Sequence, residues 1–292
     1  MTLWRWLRAP LWLLVPVMLL PYYWMAIGAF KPVSELLRQP PTLWPEHATW
    51  RNFLNPDWAG ITADPTRLAG VLQVSVEGHG FLRFYANSLL ITVVVTGVSL
   101  LAASLVAFVL TKRPFPGSRW LFRLLLVSMM LPWEVTIVPN FVTVAQLGWI
   151  NSYAALLVPG LAKAFVVFYF RQAMQSLPDE LVSAARLDGA GTLRTWWSVV
   201  LPLQRPALAA IAIPVAVGEW NNFLWPLLVV NDAATLTLPL QLGKMAGDLS
   251  FNPQASAVLM AGSLLASLPA IVLFLIFQRQ FVAGLQAGAT KG

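Results

Sequence analysis

Long apolar stretches alternate with short polar segments along most of the chain. A helix that crosses a membrane needs about 20 mostly apolar residues. Several of the stretches contain prolines, which neighbouring helices and water accommodate inside a membrane but which break helices in water. The pattern predicts an all-α integral membrane protein with six kinked transmembrane helices, at residues 11–30, 84–110, 121–144, 153–170, 207–230 and 257–277.

The composition indicates a lipid environment. Hydrophobic residues make up 58% of the 292 residues and charged residues 11%, with a mean hydropathy of +0.69, whereas soluble domains carry about 25% charged residues. This excludes a disordered chain, a nucleic-acid-binding domain and almost any soluble enzyme. Because the chain has no cysteine, disulfide scaffolds and thiol catalysis are also excluded. The two histidines, His47 and His79, are too isolated to predict a metal site.

Basic residues are distributed unevenly between the predicted loops. Twelve of the nineteen Lys and Arg residues fall in the N-terminal segment, the loops after the second and fourth stretches, and the C-terminal tail. Such residues collect on the cytoplasmic side of membrane proteins. The sequence thus predicts cytoplasmic termini in a multi-pass protein of the cytoplasmic membrane. On the opposite side, residues 31–83 are rich in Pro and Trp, which predicts a surface cap or partner-contact loop.

The largest predicted cytoplasmic loop spans residues 171–206. Apolar and small residues recur on one helical face before Gly189, a residue suited to the left-handed backbone that ends a helix. We therefore expect a short helix, a glycine stop and a second helix. The spacing leaves two interpretations open: an amphipathic connector, or a docking element whose alanines let a partner approach closely.

Three ionisable residues, Glu134, Lys163 and Glu219, fall inside predicted transmembrane helices. Ionisable residues at such positions are functional candidates. They are expected either to line a hydrated path or to fix the helices through an ion pair of Lys163 with Glu134 or Glu219. The two roles are compatible if the pair faces the path.

The run from Glu219 to Trp225 is the best candidate for the lining of such a path. Amides donate and accept hydrogen bonds, and indole rings stack on the apolar faces of sugars. Tryptophan also concentrates at membrane interfaces, which accounts for most of the fourteen in this chain. The predicted path residues are Glu134, Lys163, Glu219, Trp220, Asn221, Asn222 and Trp225.

The sequence predicts no nucleotide site and no catalytic site in this chain. A phosphate-binding loop needs Gly, four residues, then Gly-Lys and a hydroxyl residue. Gly243-Lys244 is the only Gly-Lys pair, and it lacks both the upstream Gly and the hydroxyl residue. The common metalloprotease and serine hydrolase motifs are missing. We expect a non-catalytic chain with no bound cofactor and no metal.

One segment of the cytoplasmic loop, SAARLDGA at residues 183–190, resembles a family signature. The signature, Glu-Ala-Ala, three residues and Gly, belongs to permease subunits of binding-protein-dependent ABC importers. Similar segments follow in the same order at residues 200–202, 220–226 (WNNFLWP) and 277–282. The similarity is specific to the carbohydrate branch, to the maltose-permease-like second subunit, and covers about residues 84–292.

The resemblance implies an ABC importer type I permease fold. Residues 1–83 would form the first helix and the extracytoplasmic loop, and residues 84–292 a five-helix core with a coupling loop at 171–206. In the family this loop docks in a cleft of the ATPase. Ser183 stands where the family has Glu, so Glu180 or shape alone would replace the anionic contact. The implied coupling residues are Glu180, Leu181, Ser183, Ala184, Ala185, Arg186, Asp188 and Gly189.

The resemblance also implies partners and a substrate class. The partners are a second permease subunit, two cytoplasmic subunits that bind ATP and Mg, and an extracytoplasmic sugar-binding protein. The expected substrate is an oligosaccharide or glycoside. A phosphorylated polyol such as glycerol phosphate is the alternative, but it would require a basic side chain in the path. An ion-coupled secondary transporter using Glu134 or Glu219 is a further alternative, and it would transport without an ATPase.

Overall fold

The computed structural model describes residues 3–54, 70–249 and 255–289. The middle of the predicted extracytoplasmic loop and the chain ends lie outside the described residues. The chain divides into two compact units, one formed by Met1–Tyr85 with Thr237–Leu268 and the other by Ala86–Leu236 with Pro269–Gly292. The boundary near residue 85 lies beside the one predicted at 83, whereas residues 237–268 group with the N-terminal segment.

The described residues are mostly helical. A two-stranded antiparallel ribbon pairs β1 (Ser75–Val76) with β2 (His79–Gly80), and 3-10 turns occupy Val71–Gln73, Val158–Gly160 and Ala233–Thr235. The helices are α1 (Leu3–Gly28), α2 (Val33–Leu36), α3 (Phe81–Lys112), α4 (Ser118–Met129), α5 (Trp133–Gln146), α6 (Tyr153–Leu157), α7 (Ala164–Gln175), α8 (Asp179–Leu187), α9 (Thr192–Thr195), a π-helical turn (Trp196–Val200), α10 (Leu201–Leu203), α11 (Arg205–Trp220), α12 (Leu224–Val229), α13 (Leu238–Asp248) and α14 (Ser256–Ala289).

Four described segments are long and apolar enough to cross a membrane. They are Phe81–Lys112, Tyr153–Gln175, Arg205–Val229 and Ser256–Ile276, and the α4–α5 pair makes a fifth if it counts as one crossing. Each coincides with a predicted stretch. The first predicted stretch coincides with α1, whose described apolar part, Leu14–Gly28, is shorter. The predicted total of six therefore depends on α1.

The third predicted span is not one kinked helix. Residues 121–144 divide into α4 and α5, whose axes differ by 103°. The break lies at Pro132, which adopts an extended backbone (φ −57°, ψ 139°). Proline lacks the N–H that would continue the helix and disfavours a helical residue before it. Pro132 thus ends one helix and starts another, where a single kinked helix was predicted.

The fourth predicted span is also interrupted. After α6 the chain passes through the Val158–Gly160 turn, and Lys163 is extended (φ −114°, ψ 97°) before α7 begins. Gly160 lies against α3, where an added Cβ would stand 2.9 Å from Cγ1 of Val95. A side chain at this position would force α3 and the turn apart.

A hydrophobic core holds the second unit together. Buried side chains of α3, α7, α8 and α11 meet in it, and Trp196 of the π-helical turn donates from Nε1 to Oγ of Ser104 at 3.2 Å. The indole N–H of Trp196 is thus paired inside this core, as burial requires. Its largest members include Phe108, Phe170, Met174 and Trp196.

In the first unit, the start of the segment that was predicted to be extracytoplasmic is organised around buried charges. Lys31 is 1% exposed and Glu35 is 6% exposed. Lys31 Nζ donates to Thr42 Oγ1 at 2.8 Å, and Thr42 Oγ1 donates to Glu35 at 2.7 Å. Asn52 donates to the carbonyls of Ala29 and Lys31. Residues 29–54 therefore form a defined cap rather than an irregular loop.

Candidate functional site

A cavity of about 370 Å³ opens within the second unit, where α5, α11, α12 and the break before α7 converge. Its polar lining comes from a lysine, a glutamate and two asparagines, and its aromatic lining from two tryptophans. The lining residues are Trp133, Asn140, Leu156, Pro159, Gly160, Ala162, Lys163, Gly218, Glu219, Asn222 and Trp225.

An ion pair crosses this cavity wall. Lys163 Nζ lies 2.6 Å from Glu219 Oε1, and the two side chains are 25% and 10% exposed. The helix break before α7 places Lys163 there, because its extended backbone stands at the N-terminal end of α7. Of the two glutamates that the sequence offers as partners for Lys163, the structure selects Glu219. Paired charges of opposite sign leave the cavity wall without net charge.

The structure brings four of the seven predicted path residues together. Lys163, Glu219, Asn222 and Trp225 line the cavity. Glu219 lies in the last turn of α11, and Asn222 follows just after the helix end, where its N–H donates to the Glu219 carbonyl at 3.2 Å. Trp225 is buried, and its Nε1 donates to the carbonyl of Ala155 at 2.8 Å. The indole is thus anchored to α6 while its ring contributes to the wall.

The other three predicted path residues lie elsewhere. Glu134 is exposed in the first turn of α5, and Asn221 is exposed at the end of α11. Trp220 is buried, and it lines a separate apolar cavity between α3, α11 and α14. The run from Glu219 to Trp225 therefore does not face one cavity as a whole. Glu219, Asn222 and Trp225 line the polar cavity, whereas Trp220 lines the apolar one.

Trp133 and Asn140 were not predicted from the sequence, although both line the cavity. They are seven residues apart on α5, a spacing that places both on one helical face. That spacing was the available signal. It is weak without knowledge that α4 and α5 part at Pro132, because a continuous span gives no reason to single out this face.

The predicted short helix, glycine stop and second helix of the cytoplasmic loop are confirmed as α8, Gly189 and α9. Gly189 has φ +77°. The Gly189 N–H donates to the Arg186 carbonyl and the Ala190 N–H to the Ala185 carbonyl, each at 2.9 Å. These two bonds form a Schellman motif, which needs a left-handed residue at the position of Gly189.

The two faces of α8 differ. Val182 and Ala185 are buried against their own chain. Ala185 was expected to face a partner, but it lies three residues from Val182 and shares its inward face. Leu187, which was not singled out, is 90% exposed. The predicted coupling residues that remain exposed are Glu180, Leu181, Ser183, Ala184, Arg186, Asp188 and Gly189.

Lys112 fixes the start of α8. Its Nζ donates to the Leu177 carbonyl at 2.5 Å and to Asp179 Oδ1 at 2.7 Å. Lys112 is the last residue of α3, and its side chain is 5% exposed. The last turn of a transmembrane helix is thus tied directly to the first turn of α8. Sequence analysis missed this link, since the two residues are 67 positions apart.

Comparison with known proteins gives a consistent result. The family described as binding-protein-dependent transport system inner membrane component matches residues 99–286. A chain of a bacterial ABC transporter involved in the import of the acidic polysaccharide alginate shares the fold, with a TM-score of 0.78 and 22% identity over 94% of each chain.

Two relatives match nearly the whole length. The arabinooligosaccharides transport system permease protein AraQ of Halalkalibacterium halodurans is 34% identical over 92% of this chain and 89% of its own. The sn-glycerol-3-phosphate transport system permease protein UgpE of Yersinia pestis is 34% identical over 93% of this chain and 92% of its own. The chain is thus a multi-pass membrane permease that belongs to the family of binding-protein-dependent transport system inner membrane components.

Proposed function

We propose that the chain is the permease subunit of an ATP-driven importer that moves an uncharged carbohydrate, an oligosaccharide or glycoside, across the cytoplasmic membrane. The substrate would pass the cavity at Lys163 and Glu219. A second permease subunit would complete the path, two ATPase subunits would dock on the exposed face of α8, and an extracytoplasmic binding protein would deliver the substrate. ATP and Mg would be held by the ATPases.

The observation that supports an uncharged substrate most directly is the 2.6 Å pair of Lys163 and Glu219. A phosphate or carboxylate substrate needs a cation that is free to bind it. Among the described residues, Lys163 is the only basic one in the cavity lining, and Glu219 already neutralises it. An anionic substrate would have to displace Glu219 and leave a partly buried carboxylate unpaired, which is costly.

The remaining lining fits the chemistry of a sugar. Asn140 and Asn222 each offer an amide that both donates and accepts, which matches hydroxyl groups. Trp133 and Trp225 supply flat apolar surfaces that match the C–H faces of a pyranose or furanose ring. Among the relatives, the AraQ proteins are named for arabinooligosaccharide transport, which supports the same substrate class.

A phosphorylated polyol is the second candidate, because relatives of equal identity are named for sn-glycerol-3-phosphate transport. The two candidates differ in the charge that the cavity must accept. The neutralised lysine favours the carbohydrate. The overall similarity of the chains does not separate the two classes, so the difference must come from individual residues of the path.

The test is a comparison of solutes in the assembled importer. The complex of this chain with its second permease, ATPases and binding protein would be reconstituted in proteoliposomes, and ATP hydrolysis would be measured with neutral oligosaccharides and with sn-glycerol-3-phosphate. We expect stimulation by a neutral oligosaccharide and none by the phosphate ester. Stimulation by sn-glycerol-3-phosphate alone would contradict the proposed substrate class.

A further inference from the structure

A second polar cavity, of about 410 Å³, lies beside the start of α4 in the second unit. Arg119 and Arg123 contribute from α4, and Arg171 contributes from α7. None of the eight lining residues is acidic, and the others are Leu110, Thr111, Pro114, Ser118 and Phe122. The cavity belongs to neither the Lys163–Glu219 site nor the exposed face of α8.

The three arginines have no anionic partner in the described part of the chain. Arg171 lies over the ring of Phe122, with Cζ 3.9 Å from the ring centroid, and its Nε is buried without a hydrogen-bond partner. Arg123 lies over Trp120 at 5.2 Å. These ring contacts hold the guanidinium planes in place while leaving their N–H groups available. The cavity is therefore positively charged and preorganised for an anion.

The surrounding charge reinforces this field. Arg113 precedes Pro114 of the lining, and its Nε is also buried without a partner. Burial lowers the pKa of Arg113, and the positive charge of Arg186 lowers it further. Arginine nevertheless stays charged in proteins. Within the described residues, no carboxylate offsets the repulsion between these cations. An anion bound in the cavity would offset it.

The position of α4 indicates where the anion comes from. Arg119 and Arg123 are four residues apart and share one face of α4. Other faces expose large apolar side chains, with Trp120 67% and Leu124 63% exposed. The axes of α4 and α5 differ by 103°, so the two helices do not form one straight membrane-spanning helix. A short helix with basic and exposed apolar faces is typical of the membrane interface, where the arginines meet phosphate groups of lipids.

We propose that Arg119, Arg123 and Arg171 bind the phosphate of an anionic phospholipid headgroup. The site lies at the end of α3 that carries Lys112 and contacts α8, the side that the Lys and Arg distribution assigns to the cytoplasm. Guanidinium groups match phosphate oxygens in pairs. The acyl chains would lie along the exposed apolar surface of α4. Such a lipid would bind next to the helix ends that position the coupling loop.

The test measures lipid retention by the full chain. Purified chain would be titrated with phosphatidylglycerol or phosphatidylcholine, and bound lipid counted by native mass spectrometry. We expect phosphatidylglycerol to bind at least about tenfold more tightly, because it keeps a net negative charge, whereas the choline cation of phosphatidylcholine offsets its phosphate and is repelled by the three arginines. The double variant Arg119→Gln/Arg171→Gln should lose this preference. The control Arg194→Gln/Arg205→Gln, which removes the same charge from two exposed positions outside the cavity, should keep it.

Each other outcome contradicts the proposal. Equal retention of phosphatidylglycerol by the double variant would place the lipid elsewhere. Displacement of the lipid by an equal concentration of inorganic phosphate would show a site for the free anion. Loss of ATPase copurification with unchanged lipid retention would show that the arginines hold an acidic surface of a protein partner. If the double variant does not fold, the two single variants decide, and each should weaken binding several-fold.

Discussion

Lys163 and Glu219 form an ion pair of 2.6 Å between α7 and α11, although 56 residues separate them in the chain. The pair lines the cavity in which four of the seven predicted path residues meet. Its position has two consequences. It joins the break before α7 to the last turn of α11, and it removes the net charge from the wall that a substrate would contact.

The pair should be tested by removing one partner and then both. Lys163→Met would leave Glu219 as an unpaired carboxylate that is 10% exposed. We expect a loss of about 1–3 kcal/mol, less than for a fully buried pair because Lys163 reaches solvent. The double variant Lys163→Met/Glu219→Gln should recover most of it. Thermal unfolding of the full chain in detergent measures both the loss of stability in the single variant and its recovery in the double variant. A double variant no more stable than Lys163→Met would show that the unpaired Glu219 carboxylate is not the cause of the loss.

Asn222 and Asn221 form a matched test of the path. Asn222 lines the cavity, whereas Asn221 is exposed outside it. Loss of one hydrogen bond should cost about 0.5–1.5 kcal/mol, or roughly 2- to 13-fold in the apparent affinity for sugar. Asn222→Ala should therefore shift the sugar dependence of ATP hydrolysis, and Asn221→Ala should not. Equal shifts in both variants would mean that the cavity does not distinguish them.

Gly189 and Gly191 form a second matched pair. Gly189 has φ +77°, whereas Gly191 has φ −68°, and an added Cβ at either position meets no atom within 4 Å. Any effect of alanine at Gly189 must therefore come from backbone strain, about 1 kcal/mol. Gly189→Val should impair coupling further, so that the ATPases dissociate or hydrolyse ATP without transport. Gly191→Ala should leave uptake near normal. Normal uptake by Gly189→Val at normal membrane abundance would make α8 a passive connector.

The buried carboxylate of Glu35 in the cap formed by residues 29–54 predicts a dependence on pH. Burial alone raises the pKa of Glu35, but hydrogen bonds from Thr42 and from the N–H groups of Glu46 and His47, together with Lys31, lower it below its ordinary value of 4.5. A lowered pKa in the folded state contributes stability above the ordinary value, and this stability is lost as the pH falls through the folded value.

The matched variants are Glu35→Gln and Glu46→Gln. Glu46 pairs with Arg38 at the surface, where both side chains are at least half exposed, so its replacement should change stability little. Thermal unfolding of the full chain, followed as the pH is lowered below about 4.5, should show a smaller loss in Glu35→Gln than in the wild type or Glu46→Gln. Parallel loss in all three proteins would show that Glu35 does not contribute.

The sequence predicts well those features that depend on neighbouring residues. Apolar length predicted the helices, and Gly189 after an amphipathic run predicted the end of α8. Pro132 signalled an irregularity, but how far α5 turns away from α4 depends on what each helix packs against. The sequence therefore predicted one kinked helix, whereas the structure has two helices whose axes differ by 103°.

Long-range pairing is what the sequence could not supply. Lys163 had two candidate glutamates, and only the packing of α7 against α11 selects Glu219. Lys112 and Asp179 gave no local signal for their contact. Likewise, Asn221 and Asn222 have the same side chain, so composition cannot tell them apart. Because α11 ends at Trp220, the backbone that follows the helix determines that Asn222 lines the cavity and Asn221 does not.

The central claim is that this permease moves a carbohydrate only when ATPase subunits drive it. The most direct measurement is uptake of a labelled neutral oligosaccharide into proteoliposomes that contain ATP. The account predicts uptake with the complete complex and binding protein, and no uptake when the ATPases are omitted or this chain is reconstituted alone. Uptake by this chain alone, driven by an ion gradient, would contradict it.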